Sequence, residues 1–510
     1  MNKNRHRFVQ SALLLTSTFL LGAILFAGSR HETTAPYNEG IDPGGCTTAV
    51  IAGSASSNGR PMIWKNRDVS QPNQEIVFFN DGLYPYVTIA NALDSSQAWG
   101  GVNSVGFAIE DANNWNTQDT VAGADDDGLL IKRALRTCQT VTDFQHILDS
   151  TQVRGYTQPA IFGVIDASGG AAMFETYAHS YIRYDATDSV AAPHGILVRS
   201  NFSYAGSQSG RIGVVRHNRA KTLLENAEAG DSLTPYFVCR TVARDLYAET
   251  LLNPYPLPYE GIQGGLPRGW ISTYGAICRR LTVSACVVEG VLPGENPLLA
   301  TLYAFPMAVQ YGVALPFWVA AATTPPEVNG DSLAPLCEVG LRIKAIAQHT
   351  TGFHDTLDTY ILADSHGGGV HATTLPLEDR IFHQTDSALA IWRQQGSPNP
   401  VGMAAVSQEL ATLAYDSLAH WPGAGDLWVA PRPVTDLTLA SVPGQGLVLR
   451  WSPVTLDTLG LTIVPSGYTI WRYSANGTHR DSLGRTTVTS FLVPESPDSA
   501  FATYSVRAVR

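Results

Sequence analysis

The chain has little positive charge. Its 33 Lys and Arg stand against 44 Asp and Glu, a formal net charge of -11, and no basic run follows the first few residues. Phosphate contacts need clustered Lys and Arg, so a nucleic-acid partner is not expected. Cysteine is also scarce. Six thiols at positions 46, 138, 239, 278, 286 and 337 are too few and too irregular for a disulfide framework, and no pair has the CxxC spacing of a zinc site. Neither a metal nor a cofactor is expected, and one or two disulfides can form only after export. Long hydrophobic runs are limited to one, Ala12 to Ala27. With hydrophobic residues at 44% and charged residues at 15%, disordered and collagenous classes are excluded, and the length favours two or more globular units.

That single run follows Lys3, Arg5 and Arg7 and precedes the small residues Gly28 and Ser29, the pattern of a secretory signal over residues 1–29. The expected location is secreted, periplasmic or cell-surface. An uncleaved membrane anchor is the alternative, although the run lies at the short limit of ~17 residues for crossing a bilayer. Residues 30–45, polar and rich in Thr, Glu, Pro and Gly, read as a linker or pro-segment.

From Cys46 to about residue 430, strand-like runs (Cys46 to Gly53, Glu75 to Phe79, Ala160 to Asp166, Ala171 to Tyr177) mix with helical patterns. The helices are predicted at Gly128 to Cys138, Asp143 to Ser150, Pro235 to Leu251, Leu377 to Gln394 and Met403 to Ala419. No regular strand–helix alternation is present, so the spacing predicts an α+β layered fold with antiparallel sheets. Over residues 431–510 the helical periodicity stops. Short alternating runs at Val434 to Val442, Gly446 to Val454, Gly467 to Ser474, Thr486 to Val493 and Phe501 to Val509 predict a small all-β sandwich. "LVLRWSPV" with Trp451, "GYTIWRY" with Tyr468 and "YSVRAV" with Tyr504 resemble the core aromatics of a fibronectin type III module.

Cys46 in "PGGCTTAV" stands directly after two glycines and opens a strand-like run. By itself such a Cys is a buried small hydrophobe. "GRPMIWKNRD" places Asp68 on a second strand, antiparallel to the first through the turn-forming "SASSNGR". Alone, Asp68 is equally a surface charge at a strand end.

Taken in order, "CTTAV", "GRPMIWKNRD", "GGVNSVGFAIEDANN", "GVIDASGGAAMFET", "VRSNFS" and "PFWVAAATTPPEV" resemble the isopenicillin N acyltransferase and carcinine hydrolase group, relatives of the choloylglycine hydrolases. The resemblance runs from Cys46 to about Val328. It implies a four-layer αββα sandwich over residues 46–430 and a nucleophile exposed by autocleavage between Gly45 and Cys46. By motif, Cys46 matches the nucleophile and Asp68 its aspartate. Asn113 and Asn201 match the asparagines around the oxyanion, and Arg279 or its neighbour Arg280 in "GAICRRLT" matches the late arginine. Lys65 stands where bile salt hydrolases have an arginine; it is the candidate substrate-binding residue, but an ammonium lacks the planar fork that grips a carboxylate in two places.

The chemistry follows from the residue types. A free α-amine ionises near neutrality and can take the thiol proton, so an N-terminal Cys carries base and nucleophile together, whereas an amide nitrogen before cleavage cannot act as a base. The implied activity is hydrolysis of a linear non-peptide amide through a thioester, with a small-molecule amide as partner and a homo-oligomer possible. An N-acyltransferase on the same fold and a catalytically inert adhesion or scaffold protein are the alternatives. A conventional internal-Cys protease wants a His in a recognisable context, which the sequence lacks. "GSQSG" has Gln208 where a nucleophile elbow needs Ser, "HGGGVH" lacks a third ligand, and the acidic triplet Asp125 to Asp127 lacks calcium-loop spacing and leads into a helix.

Overall fold

The computed structural model describes residues 45–92, 94, 96–117, 120–121, 127–330, 333–351, 354–364, 368–419, 421, 434–456, 465, 467–473, 480–494 and 503–509. The predicted signal segment and the pro-segment up to residue 44 lie outside the described residues, as do residues 431–433, His366, Asp125 and Asp126.

The first two strands form where the hydrophobic pattern and the turn require them. β1 (Thr47–Ile51) and β2 (Met62–Asp68) pair antiparallel from Ile51 opposite Met62 to Thr47 opposite Asn66. Both are buried along their whole length, so β2 hides Lys65, Asn66, Arg67 and Asp68 as well as its apolar residues. Seven strands then follow as a consecutive antiparallel meander: β3 (Gln74–Phe79), β4 (Tyr86–Asn91), β5 (Gly100–Asn103), β6 (Ala108–Asn113), β7 (Ala160–Ile165), β8 (Ala171–Tyr177) and β9 (Ser180–Asp185). β10 (Ile196–Arg199) returns to the free edge of β1. After the short strands β11 (Tyr247–Ala248), β12 (Asn253–Pro254) and β13 (Trp270–Ser272), β14 (Thr282–Glu289), β15 (Thr301–Phe305) and β16 (Leu315–Phe317) complete a six-stranded sheet in the order β10-β1-β2-β14-β15-β16. A further pair, β17 (Gln348–Thr351) and β18 (His354–Asp358), joins β13 in a small sheet.

One hydrophobic cluster takes side chains from both large sheets, including Val50, Ile63 and Val287 from the six-stranded sheet and Ile89, Val102, Ile161 and Met173 from the seven-stranded one. The two sheets approach so closely at Gly163 that a Cβ there would lie 2.8 Å from Val50 Cγ2. Alternate residues of the meander face the other way and build a second cluster. Phe107, Ile109, Phe162 and Phe174 meet Leu130, Ile131 and Leu135 of helix Asp127–Thr137 and Phe144 and Leu148 of helix Val141–Thr151. Each such side chain, once removed from water, stabilises the fold by about 1.5–3 kcal/mol. Thr140 and Asp143 close a reciprocal capping box at the start of the second helix. The predicted α+β class and antiparallel sheets are observed.

Helices Asp127–Thr137, Val141–Thr151, His371–Gln395 and Pro400–Ala419 lie where periodicity predicts them, the third starting earlier than expected. The predicted helix Pro235 to Leu251 is a correction. Only Pro235–Phe237 is α-helical; a π-turn over Val238–Val242 follows, and then the Asp245 carboxylate accepts hydrogen bonds from the Tyr247 amide and the Arg219 guanidinium, which diverts the chain into β11. All six cysteines are unpaired buried thiols. No helix among the described residues is long and apolar enough to cross a membrane.

The C-terminal strands form two three-stranded antiparallel sheets, β19 (Thr438–Val442), β20 (Gly446–Arg450) and β23 (Ser490–Leu492) in one, β21 (Gly467–Tyr473), β22 (Arg480–Thr486) and β24 (Thr503–Val509) in the other. Their cluster holds Leu449, Trp451, Tyr468, Ile470 and Val506. Trp451 and Tyr468 meet edge-on at 5.2 Å, and the Tyr468 hydroxyl accepts from the Val454 amide at 3.1 Å. The predicted strand Thr486 to Val493 is divided: Thr486 ends β22, which the pattern did not reveal, and Ser490–Leu492 is a separate strand.

Candidate active site

The start of β1 and the end of β2 lie side by side because the connection over residues 52–61 sends the chain back antiparallel from Ile51 to Met62. That register puts Cys46 beside Asp68, and the Gly45 amide donates to the Asp68 carbonyl at 2.9 Å. β14, antiparallel to the other edge of β2, brings Thr282 opposite Asp68. The Thr282 hydroxyl donates to Asp68 Oδ1 at 2.6 Å, and Arg279, just before the strand, donates from Nε to Asp68 Oδ2 at 2.7 Å. Arg280, one residue on, turns away to pair with Asp355. Of the two rival arginines, Arg279 is the one in this cluster.

The Gly45 carbonyl, the acyl side of the Gly45–Cys46 peptide bond, is held by two buried guanidiniums. Arg279 Nη2 donates to it at 2.8 Å and Arg216 Nη1 at 3.3 Å. Arg216 also donates to the Cys46 carbonyl and to Thr47 Oγ1, both at 2.8 Å, and from Nη2 to Asn201 Oδ1 at 2.9 Å. Asn201, in the bridge that follows β10, donates from Nδ2 to the Asn113 carbonyl at 3.0 Å. Asn113 thus meets Asn201 through its backbone. Asn201 also packs onto Gly45: a Cβ on residue 45, whose φ is +153°, would stand 2.1 Å from Asn201 Oδ1. Only glycine fits at this position.

Cys46 is 7% exposed. Burial pushes its thiol up to about 11; Lys65 pulls it down, while Asp111 and Asp68 push it up further. Lys65 was expected either to reach a substrate or to lie exposed on its strand. Instead it is buried and its ammonium is paired with the Asp111 carboxylate of β6. Burial works against that charge, but Asp111 and then Cys46 outweigh it and hold Lys65 above the ordinary lysine value. Arg67, two residues on, stacks over Trp99 at 4.4 Å and donates to Gln74 and Asn91. Burial lowers it to about 10, against the opposing pull of Cys46. Asp68 is raised to about 7 by burial, although Arg216 and the Thr282 hydroxyl pull the other way.

The structure therefore brings together Gly45, Cys46, Asp68, Asn201 and Arg279, with Asn113 joining through its carbonyl and Lys65 near enough to act on the Cys46 thiol while its ammonium is held by Asp111. Sequence reasoning missed Arg216, Thr282, Asp111 and Arg67. For Arg216 a signal existed. The buried residues of helix Val214–Ala229 include Arg216, Ala220, Leu224 and Ala227, so the arginine occupies a position on the helix's apolar stripe. Asp111 was visible as one of two adjacent acids, Glu110 and Asp111, in the middle of β6. Among the described residues no group of three or more His, Cys, Asp or Glu is arranged to hold a metal.

No family model matches the chain, and no curated protein does. Among solved structures it is similar to penicillin V acylase from Agrobacterium tumefaciens, with 14% identity, 54% of this chain and 85% of that chain covered, and a TM-score of 0.33. It is also similar to a mutant of conjugated bile acid hydrolase from Clostridium perfringens, with 11% identity, 54% and 92% covered, and a TM-score of 0.33.

Proposed function

We propose that this chain is a secreted N-terminal-nucleophile cysteine amidohydrolase, cut between Gly45 and Cys46 by its own thiol. The environment of the Gly45 carbonyl carries this reading. Its oxygen accepts from Arg279 and Arg216, where negative charge develops if sulfur attacks the adjacent carbon. Donors placed at a developing oxyanion are typically worth about 2.7–4 kcal/mol each. The motif resemblance from Cys46 to Val328 points to the same bond.

In this reading Cys46 Sγ attacks the Gly45 carbonyl carbon, the C–N bond breaks, and the freed nitrogen becomes the α-amine. Water then cleaves the thioester. The mature amine accepts the thiol proton for each later turnover, with Asp68 beside it and Asn201 among the oxyanion donors. Before the cut the Cys46 nitrogen is an amide and cannot take the thiol proton, so turnover of other amides switches on with cleavage.

The substrate is a linear, non-peptide amide. The pairing of Lys65 with Asp111 argues against Lys65 as a hook for a substrate carboxylate, and so against a bile-acid conjugate. Residues 46–430 form the catalytic domain in this proposal, layered as helix, sheet, sheet and helix; residues 431–510 form a fibronectin type III-like module outside the chemistry. Intact mass and N-terminal sequencing of the purified chain beside Cys46→Ala test the proposal, together with hydrolysis of a panel of N-acyl amides. The expected result is a mature chain beginning at Cys46 that releases amine, and a variant that retains Gly45. Identical upstream N-termini in both proteins would reject it.

A further inference from the structure

Cleavage leaves a carboxylate where the structure now holds a carbonyl. The balance is simple: Sγ displaces nitrogen from the Gly45 carbonyl carbon, and the thiol proton ends on that nitrogen. Water then adds to the thioester, C–S breaks, Sγ recovers a proton, and Gly45 departs as a carboxylic acid that ionises at neutral pH. The groups that hold Gly45 (Arg216, Arg279, the Asp68 carbonyl and Asn201) all belong to the chain after the cut, so cleavage removes none of them.

We propose that Arg216, Arg279, the Asp68 carbonyl and Asn201 form a binding site for a C-terminal glycine carboxylate, so that the cut leader stays on the enzyme as an inhibitory product. The inference rests on the cleavage reading above. Three features define the ligand. Buried guanidiniums already reach the Gly45 oxygen at 2.8 and 3.3 Å, and a carboxylate offers them a second oxygen and a negative charge, the match that makes Arg–carboxylate pairs strong and bidentate. The Gly45 N–H donates to the Asp68 carbonyl at 2.9 Å, so the ligand needs an amide hydrogen next to its terminal carbon. Asn201 fills the space a side chain would take, with Oδ1 2.1 Å and Nδ2 2.7 Å from an ideal Cβ, so that carbon must be unsubstituted. Together they describe an N-acylglycine or a peptide ending in glycine.

The site is also where a substrate acyl group must go. Sγ reaches the Gly45 carbonyl carbon through a ring of C, N, Cα, Cβ and Sγ, so the carboxylate carbon and a substrate carbonyl compete for the same place before the same sulfur. Retained leader therefore blocks turnover, and its dissociation sets a lag before full activity. Other acylglycines inhibit in the same way.

The test uses the full chain, weighed under denaturing and native conditions, and a synthetic peptide of residues 36–45 as probe. Two fragments under denaturing conditions with one complex under native conditions are expected. The peptide as free acid should bind the leader-depleted enzyme and inhibit competitively. Its C-terminal amide, and a version with alanine replacing the last glycine, should each be at least ~10-fold weaker, by loss of the charge-assisted bonds and by collision with Asn201. Two fragments that separate under native conditions, with acid, amide and alanine peptides binding alike, would overturn the inference while leaving cleavage intact. A single uncut mass would remove the cleavage reading and this inference with it.

Discussion

Asn201 and Gly45 share one space: the asparagine side chain lies where residue 45 would carry a Cβ, 2.1 Å from Oδ1 and 2.4 Å from Cγ. Gly45→Ala must move either the asparagine or the backbone, at a φ of +153° that L side chains rarely adopt. Moving the backbone draws the carbonyl off Arg279 and Arg216. If the proposed self-cleavage operates, strain of about 1–3 kcal/mol at the Gly45–Cys46 bond should slow it roughly 10-fold or more, read as the time course of intact mass. Cleavage at the unmodified rate would show that the fit between these residues has no part in processing.

Adjacent arginines give a cleaner contrast. Arg279 donates to both Asp68 and the Gly45 carbonyl, whereas Arg280 pairs with Asp355, half-exposed, and offers its carbonyl to Lys344. Arg279→Ala should slow processing by about 100- to 1,000-fold, the loss typical of one oxyanion donor. Arg280→Ala should stay within a few-fold, since ion pairs near the surface contribute about 0–1 kcal/mol. Equal effects from the two substitutions would contradict the assignment of Arg279 to the site.

That contrast also shows what the sequence could and could not tell. Cys46 and Asp68 were legible as neighbours because their strands follow one another in sequence with turn-forming residues between them, and pairing of consecutive strands follows from local pattern. Arg279 could not be separated from Arg280, since the choice is made by β14 pairing with β2, more than 200 residues away in sequence (Thr282 opposite Asp68). β14 itself is buried on both faces and shows no alternation, so its period gave no warning of a strand. The helix expected from Pro235 to Leu251 failed because Asp245 caps a turn there with a distant arginine, a tertiary contact that overrides propensity. Lys65 had no visible partner, because Asp111 reaches it from the other sheet.

Lys65 and Asp111 form a pair with side chains 2% and 3% exposed. Removing one partner strands a charge in the interior. Lys65→Met should destabilise the chain by about 3–5 kcal/mol, measured by urea denaturation. Lys65→Met with Asp111→Asn should recover most of that loss, because no buried charge is then left unmatched. A double variant no more stable than the single one would mean that the pair is not the source of the loss.

The pH dependence turns on Asp68. Burial raises it from an ordinary 3.8 to about 7, so between these values the folded chain holds a proton that the unfolded chain has released. By linkage, the contribution of Asp68 to stability is fully present below about pH 4 and is lost as pH rises through about 7. Asp68→Asn cannot ionise and lacks this component. Denaturation midpoints at pH 4.5 and 7.5 should therefore fall further for the unmodified chain than for the Asn variant, by an amount on the order of a few kcal/mol. The subtraction cancels the other titrating groups. Parallel behaviour of the two proteins would mean that Asp68 is ionised throughout, held by Arg279 and Thr282 against the cost of burial, and that the site is negatively charged at that position across the whole range.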